Sequence, residues 1–147
     1  MTRADLLAFL RSHRYAVQAS AAPESGAQAA VVGIAVFDTF EIVFDTLATS
    51  RKARNLEHDA RIALVIGGSD GGERTVQYEG VTDRPAGTEL DDIRERYFQV
   101  FPDGRDRLAW PGLIHLRVRP RWMRYSDFSV NPPTIVEWSA EAIARLA

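Results

Sequence analysis

Apolar residues along the chain fall mostly into short runs that predict β-strands. Where apolar and polar residues alternate, one face of a strand is expected to be buried, because successive side chains point to opposite faces. Residues 29–37 are almost continuously apolar, which predicts a strand buried on both faces. The predicted strands cover residues 15–22, 29–37, 41–46, 61–67, 73–81 and 114–125, the last as a long strand pair.

Helical patterns are fewer and shorter. Thr2 and Asp5 have the spacing of a capping box, ahead of a helix that ends near His13. Further helices are predicted at residues 49–56, from Thr88 to about residue 98, and after Ser139. Turns are expected at residues 23–26 and 67–72, and Pro102-Asp103-Gly104 stops the third helix.

Many short strands with few brief helices predict a mostly β fold with short helices. The spacing of the strands favours a closed or nearly closed antiparallel barrel. The length of 147 residues fits a single domain over residues 1–147, because the chain contains no repeat and no long linker.

Composition excludes several classes of site. The chain contains no cysteine, so disulfides, thiol nucleophiles, iron–sulfur clusters and thiolate zinc sites are excluded. A net charge of -2 offers no general attraction to nucleic acid. No apolar run approaches the roughly 18 residues that cross a membrane, and the first 14 residues lack the pattern of a signal peptide. We therefore expect a cytoplasmic protein without a membrane or nucleic-acid partner.

The segment from Phe44 to Ala53 carries the most informative chemistry. A strand ends there, hydroxyl residues follow, and Arg51 and Lys52 stand in the first turn of a helix. Cations oppose the positive end of a helix, but a bound anion makes them favourable. Lys52 is also the single lysine among 18 basic residues. The alternative interpretation is a serine-capped helix start with solvated cations.

This segment resembles the flavin-binding core of the pyridoxamine 5'-phosphate oxidase family. The likeness rests on Phe44-x-Thr46, Ser50-Arg51-Lys52-Ala53, Asn55-Leu56 and the strand at residues 61–66. It continues at residues 73–76, Gly80, Tyr97-Phe98, Pro102 and Ala109-Trp110, in the family's order. The resemblance extends over about residues 28 to 125.

The resemblance implies a split β-barrel that forms a homodimer, with two flavin mononucleotides (FMN) at the interface between subunits. By position, Arg51 and Lys52 would hold the flavin phosphate, and Ser50 would assist through its hydroxyl or the helix-start amides. Thr46 would lie near the flavin ring or ribityl chain.

The resemblance also implies residues around the flavin ring. Thr75 stands where the family often has a glutamine facing the ring, and Gln77 lies two residues further on the same strand face. The backbone of Val31, Val32 and Gly33 would line the ring edge. The tryptophans are expected in the core or the dimer interface, where Trp110 or Trp122 could approach a flavin.

The departures from the family pattern concern the substrate. Ala29 and Ala30 replace an arginine that the oxidases carry, and the C-terminal Arg-Leu-His-Asp-Arg type of signature is absent. Tyr97 is retained, but Phe101 stands where an arginine is expected and Arg105 where a serine is expected. We therefore expect no true pyridoxamine phosphate oxidase activity, although Arg105 could replace some of the lost charge.

The leading hypothesis is an FMN-dependent oxidoreductase with an unidentified small-molecule substrate and an unassigned catalytic residue. A second hypothesis is a deazaflavin F420-dependent reductase, which a cationic groove would support. A third is a non-catalytic module that holds flavin or haem, with His58 or His115 as weak axial-ligand candidates. His13, His58 and His115 are too scattered to predict a metal site. The feature that keeps F420 open is a basic band formed by His115, Arg117, Arg119, Arg121 and Arg124. The interpretation we favour for this band is a solvent-exposed face whose cations pair with acidic residues.

Overall fold

The computed structural model describes residues 1–24, 26–68 and 72–146. The turns expected at residues 23–26 and 67–72 fall in part outside the described residues, at Ser25 and at residues 69–71. In chain order the elements are α1 (Arg3–Arg11), β1 (Tyr15–Ala22), β2 (Gly26–Gly33), β3 (Ala35–Val36), β4 (Ile42–Leu47), α2 (Arg51–His58), β5 (Arg61–Gly67), β6 (Arg74–Asp83), α3 (Gly87–Val100), α4 (Gly104–Arg107), β7 (Leu113–Asp127), β8 (Thr134–Ser139) and α5 (Ala140–Ala144).

The eight strands of the described residues belong to one antiparallel sheet with the order β2-β1-β5-β6-β7-β4-β3, and β8 adds to β7. The sheet curls until β2 comes close to β4. Among the described strands, however, β2 pairs only with β1. We call this gap between β2 and β4 the seam. The fold is a split β-barrel, as the resemblance implied.

Two apolar clusters hold the fold together. The larger cluster fills the barrel with side chains such as Phe44, Ile66 and Tyr78, and Leu6 and Leu10 of α1 pack against it. The smaller cluster lies between β3, β4 and α3 and includes Val43 and Tyr97. Strand β4 is therefore covered on both faces, since Phe44 points into one cluster and Val43 into the other.

The prediction that residues 29–37 form a strand buried on both faces is wrong. Strand β2 ends at Gly33, and the separate short strand β3 follows. In β2, Val31 is 66% exposed whereas Val32 is buried. Exposed and buried positions alternate along β2, but the sequence does not show this alternation. Small apolar residues occupy the outer face of the strand as well as the inner one.

Other boundaries shift for local reasons. The capping box is confirmed, since Thr2 Oγ1 accepts from the Asp5 amide at 3.2 Å and Asp5 accepts from the Thr2 amide at 2.9 Å. Helix α3 begins at Gly87 without a side-chain cap, so Thr88 does not start it as predicted. Residues 114–125 form part of one strand of 15 residues rather than a strand pair. Strand β8 and helix α4 were not predicted.

Candidate functional site

The start of helix α2 gathers three of the residues that the sequence singles out. Ser50 is the N-cap, and its Oγ accepts from the Ala53 amide at 3.2 Å. The Ser50 Oγ also lies 3.0 Å from Thr46 Oγ1 at the end of β4. Lys52 Nζ donates to the same Thr46 oxygen at 3.4 Å. A cation and two hydroxyls therefore lie beside the unpaired amides of a helix start.

Arg51 extends to the opposite side, towards β2. Its guanidinium lies against the side-chain amide of Gln28, whose oxygen accepts from Arg51 Nε at 3.0 Å in one of the two amide orientations. In the other orientation the Gln28 oxygen accepts from Asn55 Nδ2 at 2.9 Å. Asn55 is buried and also donates to Ser20 Oγ of β1 at 3.3 Å. Lys52 thus reaches β4 while Arg51 reaches β2.

The helix start has an uncompensated positive charge. Its first turn contains no acidic residue. In the described part of the chain, no carboxylate forms an ion pair with Arg51, Lys52 or Arg54, whereas Arg61 and Arg105 each pair with one. Both the cations and the helix dipole favour a bound anion at this position.

The residues expected around the flavin ring do not all come together within one chain. Thr46 pairs with Ile114 near the beginning of β7, whereas Thr75 pairs with Ser126, twelve residues further along that strand. Thr75 and the exposed Gln77 therefore lie far from Thr46.

Val31 and Gln77 lie in one row on the outer face of the sheet. The row runs from Val31 through Val17 and Val65 to Gln77, across four neighbouring strands. Three strand spacings separate its ends, or roughly 14 Å. Val32 is buried in the barrel, and Gly33 lies so close to Phe101 that a Cβ there would be 2.9 Å from the ring.

A second polar cluster lies between β4, β7 and the helices α3 and α4. Arg107 Nε donates to Asp45 Oδ2 at 2.7 Å, and its guanidinium also lies 3.3 Å from the Tyr97 hydroxyl. His115 pairs with Asp45 across the strands, and its Nδ1 accepts from Arg94 Nε at 3.4 Å. Burial lowers the pKa of His115 to about 4 and raises that of Tyr97 above its ordinary value. Sequence reasoning did not predict this cluster, because only the packing of α3 on the sheet encloses it.

Acidic side chains pair with three of the five residues in the basic band of β7. Arg117 donates to Asp83 at 2.9 Å and to Glu89 at 2.6 Å. Arg119 lies 3.5 Å from Glu41. The expected acidic partners are thus confirmed for Arg117, Arg119 and Arg124. The expected solvent face is wrong for His115 and Arg117, which are both buried.

Phe101, Arg105 and Tyr97, which stand at positions of the family's substrate site, contact other side chains of this chain. Phe101 is buried and stacks on Tyr97 with a ring-centroid distance of 5.1 Å. Arg105 donates to Glu95 through two hydrogen bonds of 2.9 and 3.1 Å, and both side chains of this pair are more than half exposed. Tyr97 itself is buried, and its hydroxyl lies in the polar cluster around Asp45 and Arg107.

The histidines lie apart, as expected from the sequence. His13 Nδ1 is 2.8 Å from the Phe9 carbonyl, His58 is exposed at the end of α2, and His115 is buried. The described residues contain no group of three or more side chains that could hold a metal ion. None of the described helices is long and apolar enough to cross a membrane. Trp138 belongs to the core, as expected, whereas Trp110 is exposed in this single chain.

The solved structures that share this fold include the following three. A haem-binding protein from Mycobacterium smegmatis superposes with a TM-score of 0.82 and 18% identity, over 99% of this chain and 61% of its own. A pyridoxamine 5'-phosphate oxidase-related, FMN-binding protein from Nostoc punctiforme has a TM-score of 0.70 and 14% identity, over 92% and 87% of the two chains. HutZ, a haem storage protein from Vibrio cholerae, has a TM-score of 0.70 and 11% identity, over 82% and 92%.

The chain thus spans less than two thirds of the mycobacterial protein, and at these identities the likenesses concern the fold alone. No curated protein matches the sequence. The sequence does match the family model described as pyridoxamine 5'-phosphate oxidase over residues 2–127, which is most of the chain. With its split barrel and its Ser50-Arg51-Lys52 helix start, this chain belongs to the pyridoxamine 5'-phosphate oxidase family.

Proposed function

We propose that this protein is an FMN-binding flavoprotein that acts as an oxidoreductase on a small molecule, in the form of a homodimer. The observation that carries the proposal is the helix start at α2, where Thr46, Ser50 and Lys52 meet beside free backbone amides. A site with three donors and no carboxylate in the first turn suits a terminal phosphate.

The phosphate would be held from two sides. Lys52 would contribute a point charge from the side of β4, and the Arg51 guanidinium a forked donor from the side of β2. Ser50 would add its hydroxyl while its backbone fixes the start of the helix. The alanine at position 30 lies on the same face of β2 as Gln28, so this chain would rely on α2 for its phosphate contacts.

The flavin ring would lie between two copies of the chain. Thr46 and Thr75 are too far apart to contact the same ring within one chain, so Thr75 and Gln77 could meet it only from a second copy. The exposed face of β1, β2 and β5 offers an interface for that copy, because Val17 and Val65 are each 44% exposed next to Val31. Such a continuous apolar face on a sheet is usually covered in an assembly.

When it is bound, FMN supplies the hydride or electron transfer itself. The chain would anchor the phosphate, orient the ring and exclude water, so a protein nucleophile is not needed. A substrate other than pyridoxamine phosphate is favoured, because Phe101 and Arg105 are both engaged in packing or ion pairing.

Binding of FMN and of riboflavin, which lacks the phosphate, tests the proposed anchor. We expect Lys52→Ala to weaken FMN binding about 10- to 100-fold, since a charge-assisted contact contributes roughly 1.5–3 kcal/mol. Riboflavin binding should hardly change. Arg145→Ala, which removes an exposed arginine far along the chain, is the matched control. If the wild type binds neither flavin, or if Lys52→Ala weakens the binding of both flavins equally, the proposed phosphate site at the start of α2 is wrong.

Sedimentation analysis tests the proposed dimer. Val31→Glu places a charge on the apolar face and should convert a dimer into a monomer. Val100→Glu is the matched control, because Val100 is similarly exposed on α3, away from that face. A wild-type protein that remains monomeric at micromolar concentration, or a Val31→Glu variant that stays dimeric, would contradict the proposed interface.

Haem is the second candidate, because the mycobacterial haem-binding protein superposes on 99% of this chain. His58 is exposed and lies beside Arg51 and Arg54, so it is accessible to a haem, whereas His115 is buried. Titration with haem would give a Soret band that His58→Ala shifts if this residue is an axial ligand. The same titration with FMN distinguishes the two cofactors.

A further inference from the structure

Helix α2 has a second cationic face, which borders a cavity of about 470 Å³. Arg51, Arg54 and His58 line it from the helix, and the turn after β1 closes it with Pro23 and Glu24. We call this space the α2 cavity. Lys52 does not line it, because that side chain points to Thr46 on the other side of the helix start.

Helical geometry places the three basic side chains together. Residues 51, 54 and 58 are separated by three and four positions, so they project from one face of α2. Within the described residues, neither Arg51 nor Arg54 forms an ion pair with a carboxylate. Several other arginines do have such a partner, as Arg61, Arg105 and Arg124 do.

Among the described residues that line the cavity, the acidic one is Glu24, in the turn after β1. It compensates at most one of the two arginines, and the imidazole of His58 adds a further donor. The cavity also adjoins the buried amide of Asn55, which fixes the helix to Ser20 and Gln28. The cations therefore stand on a rigid support, which reduces the entropy lost when they bind a ligand.

We infer that the α2 cavity binds an anion with at least two negative charges, of the diphosphate or dicarboxylate type. Two forked guanidiniums separated by one turn of helix suit two anionic groups rather than one. The walls suit haem less well, since Ala22 and Pro23 are the apolar side chains that line the cavity, whereas a macrocycle needs broad apolar contact. The inference does not rest on the proposed flavin function, although Arg51 borders both sites.

Calorimetric titration with pyrophosphate and with citrate, in the absence of flavin, tests the inference. We expect Arg54→Ala to weaken binding at least 10-fold, Arg54→Lys to weaken it less, and His58→Gln to have a smaller effect. Arg145→Ala is the control and should change binding less than 2-fold. Because Arg54 and His58 are exposed, these variants should fold, and thermal denaturation verifies this.

Two sources of the anion are then distinguished with flavin nucleotides. If FAD binds more tightly than FMN and Arg54→Ala removes the difference, the cavity accepts the diphosphate of an extended nucleotide. If FAD has no advantage but pyrophosphate still binds to the FMN-loaded protein, the cavity accepts a separate anionic ligand. If the wild type binds neither anion at millimolar concentration, or if Arg54→Ala has no effect, the inference is wrong. Loss of FMN binding alone would instead count against the proposed function.

Discussion

Asp45 shows how a single side chain can hold two elements together. It accepts from Arg107 at 2.7 Å, and the two side chains are only 14% and 19% exposed. This pair fixes α4 to β4 directly beside Thr46. Removal of one partner from such a buried pair leaves an uncompensated charge.

We expect Asp45→Asn to lower the free energy of unfolding by about 2–3 kcal/mol, somewhat less than for a fully buried pair. Asp103→Asn is a close control, because Asp103 binds the same arginine at 2.8 Å but is 66% exposed. It should cost clearly less, because water screens an exposed ion pair. Urea denaturation of both variants measures the difference, and equal losses would show that burial of the pair is not decisive.

His115 gives a prediction about pH. Burial holds its pKa at about 4 in the folded protein, below the value of 6.5 for a free side chain. The unfolded chain therefore binds more protons between these values, and stability falls as the pH drops from about 6.5 to 4. The loss from this residue is at most about 3 kcal/mol.

His115→Gln should flatten this part of the pH profile of the unfolding free energy, measured against the wild type. His58→Gln, which replaces an exposed histidine, is the matched control. A profile of His115→Gln that parallels the wild type would contradict the assignment.

The individual residues were unequally predictable from the sequence. Ser50 and Lys52 could be assigned, because a cap followed by cations is a local pattern. The partners of Arg107 and His115 could not be assigned, because Asp45 and Arg107 are 62 residues apart and meet only when α4 packs on the sheet. Phe101 and Arg105 were recognised as departures, but their contacts with Tyr97 and Glu95 required the structure.

At the level of elements, strand β6 changes its register at Gly80. A bulge lies between Glu79 and Gly80, and β7 passes close to it. A Cβ at Gly80 would lie 2.6 Å from the Arg119 carbonyl oxygen and 2.6 Å from a methyl group of Val118. Since the oxygen belongs to the backbone, the strand itself would have to move.

Gly80→Ala should therefore destabilise the protein by about 2–3 kcal/mol, the upper part of the range for overpacking. Gly72→Ala is the control, because nothing lies within 4 Å of a Cβ there. Thermal denaturation measures both. A Gly80→Ala variant as stable as Gly72→Ala would show that β7 can yield at the bulge.

Most strands could be predicted from alternation, because burial of one face imposes it. Strand β2 could not, since alanine and valine occupy both of its faces. Strand β8 has only six residues, follows Pro132-Pro133 and pairs with β7. Its apolar pattern is too short to predict a strand. Tertiary pairing, rather than local preference, forms this strand.

At the scale of the whole molecule, cofactor binding should be coupled to stability. A ligand present at 100 times its Kd stabilises the folded state by about 2.7 kcal/mol. If FMN binds at the start of α2, it should raise the Tm of the wild type. At the same FMN concentration Lys52→Ala should show a smaller rise, whereas Arg145→Ala should match the wild type. Differential scanning calorimetry measures the shift, and no rise with the wild type would count against FMN.

The seam also determines how the barrel can move. Because β2 and β4 share no ladder hydrogen bonds among the described strands, widening this slit breaks side-chain contacts but leaves the sheet intact. Opening there is energetically cheaper than at any junction between paired strands, where the ladder would have to break. The barrel can therefore open transiently along the seam. Amide protons of β2 that face the seam should exchange faster than those of β5 in the middle of the sheet.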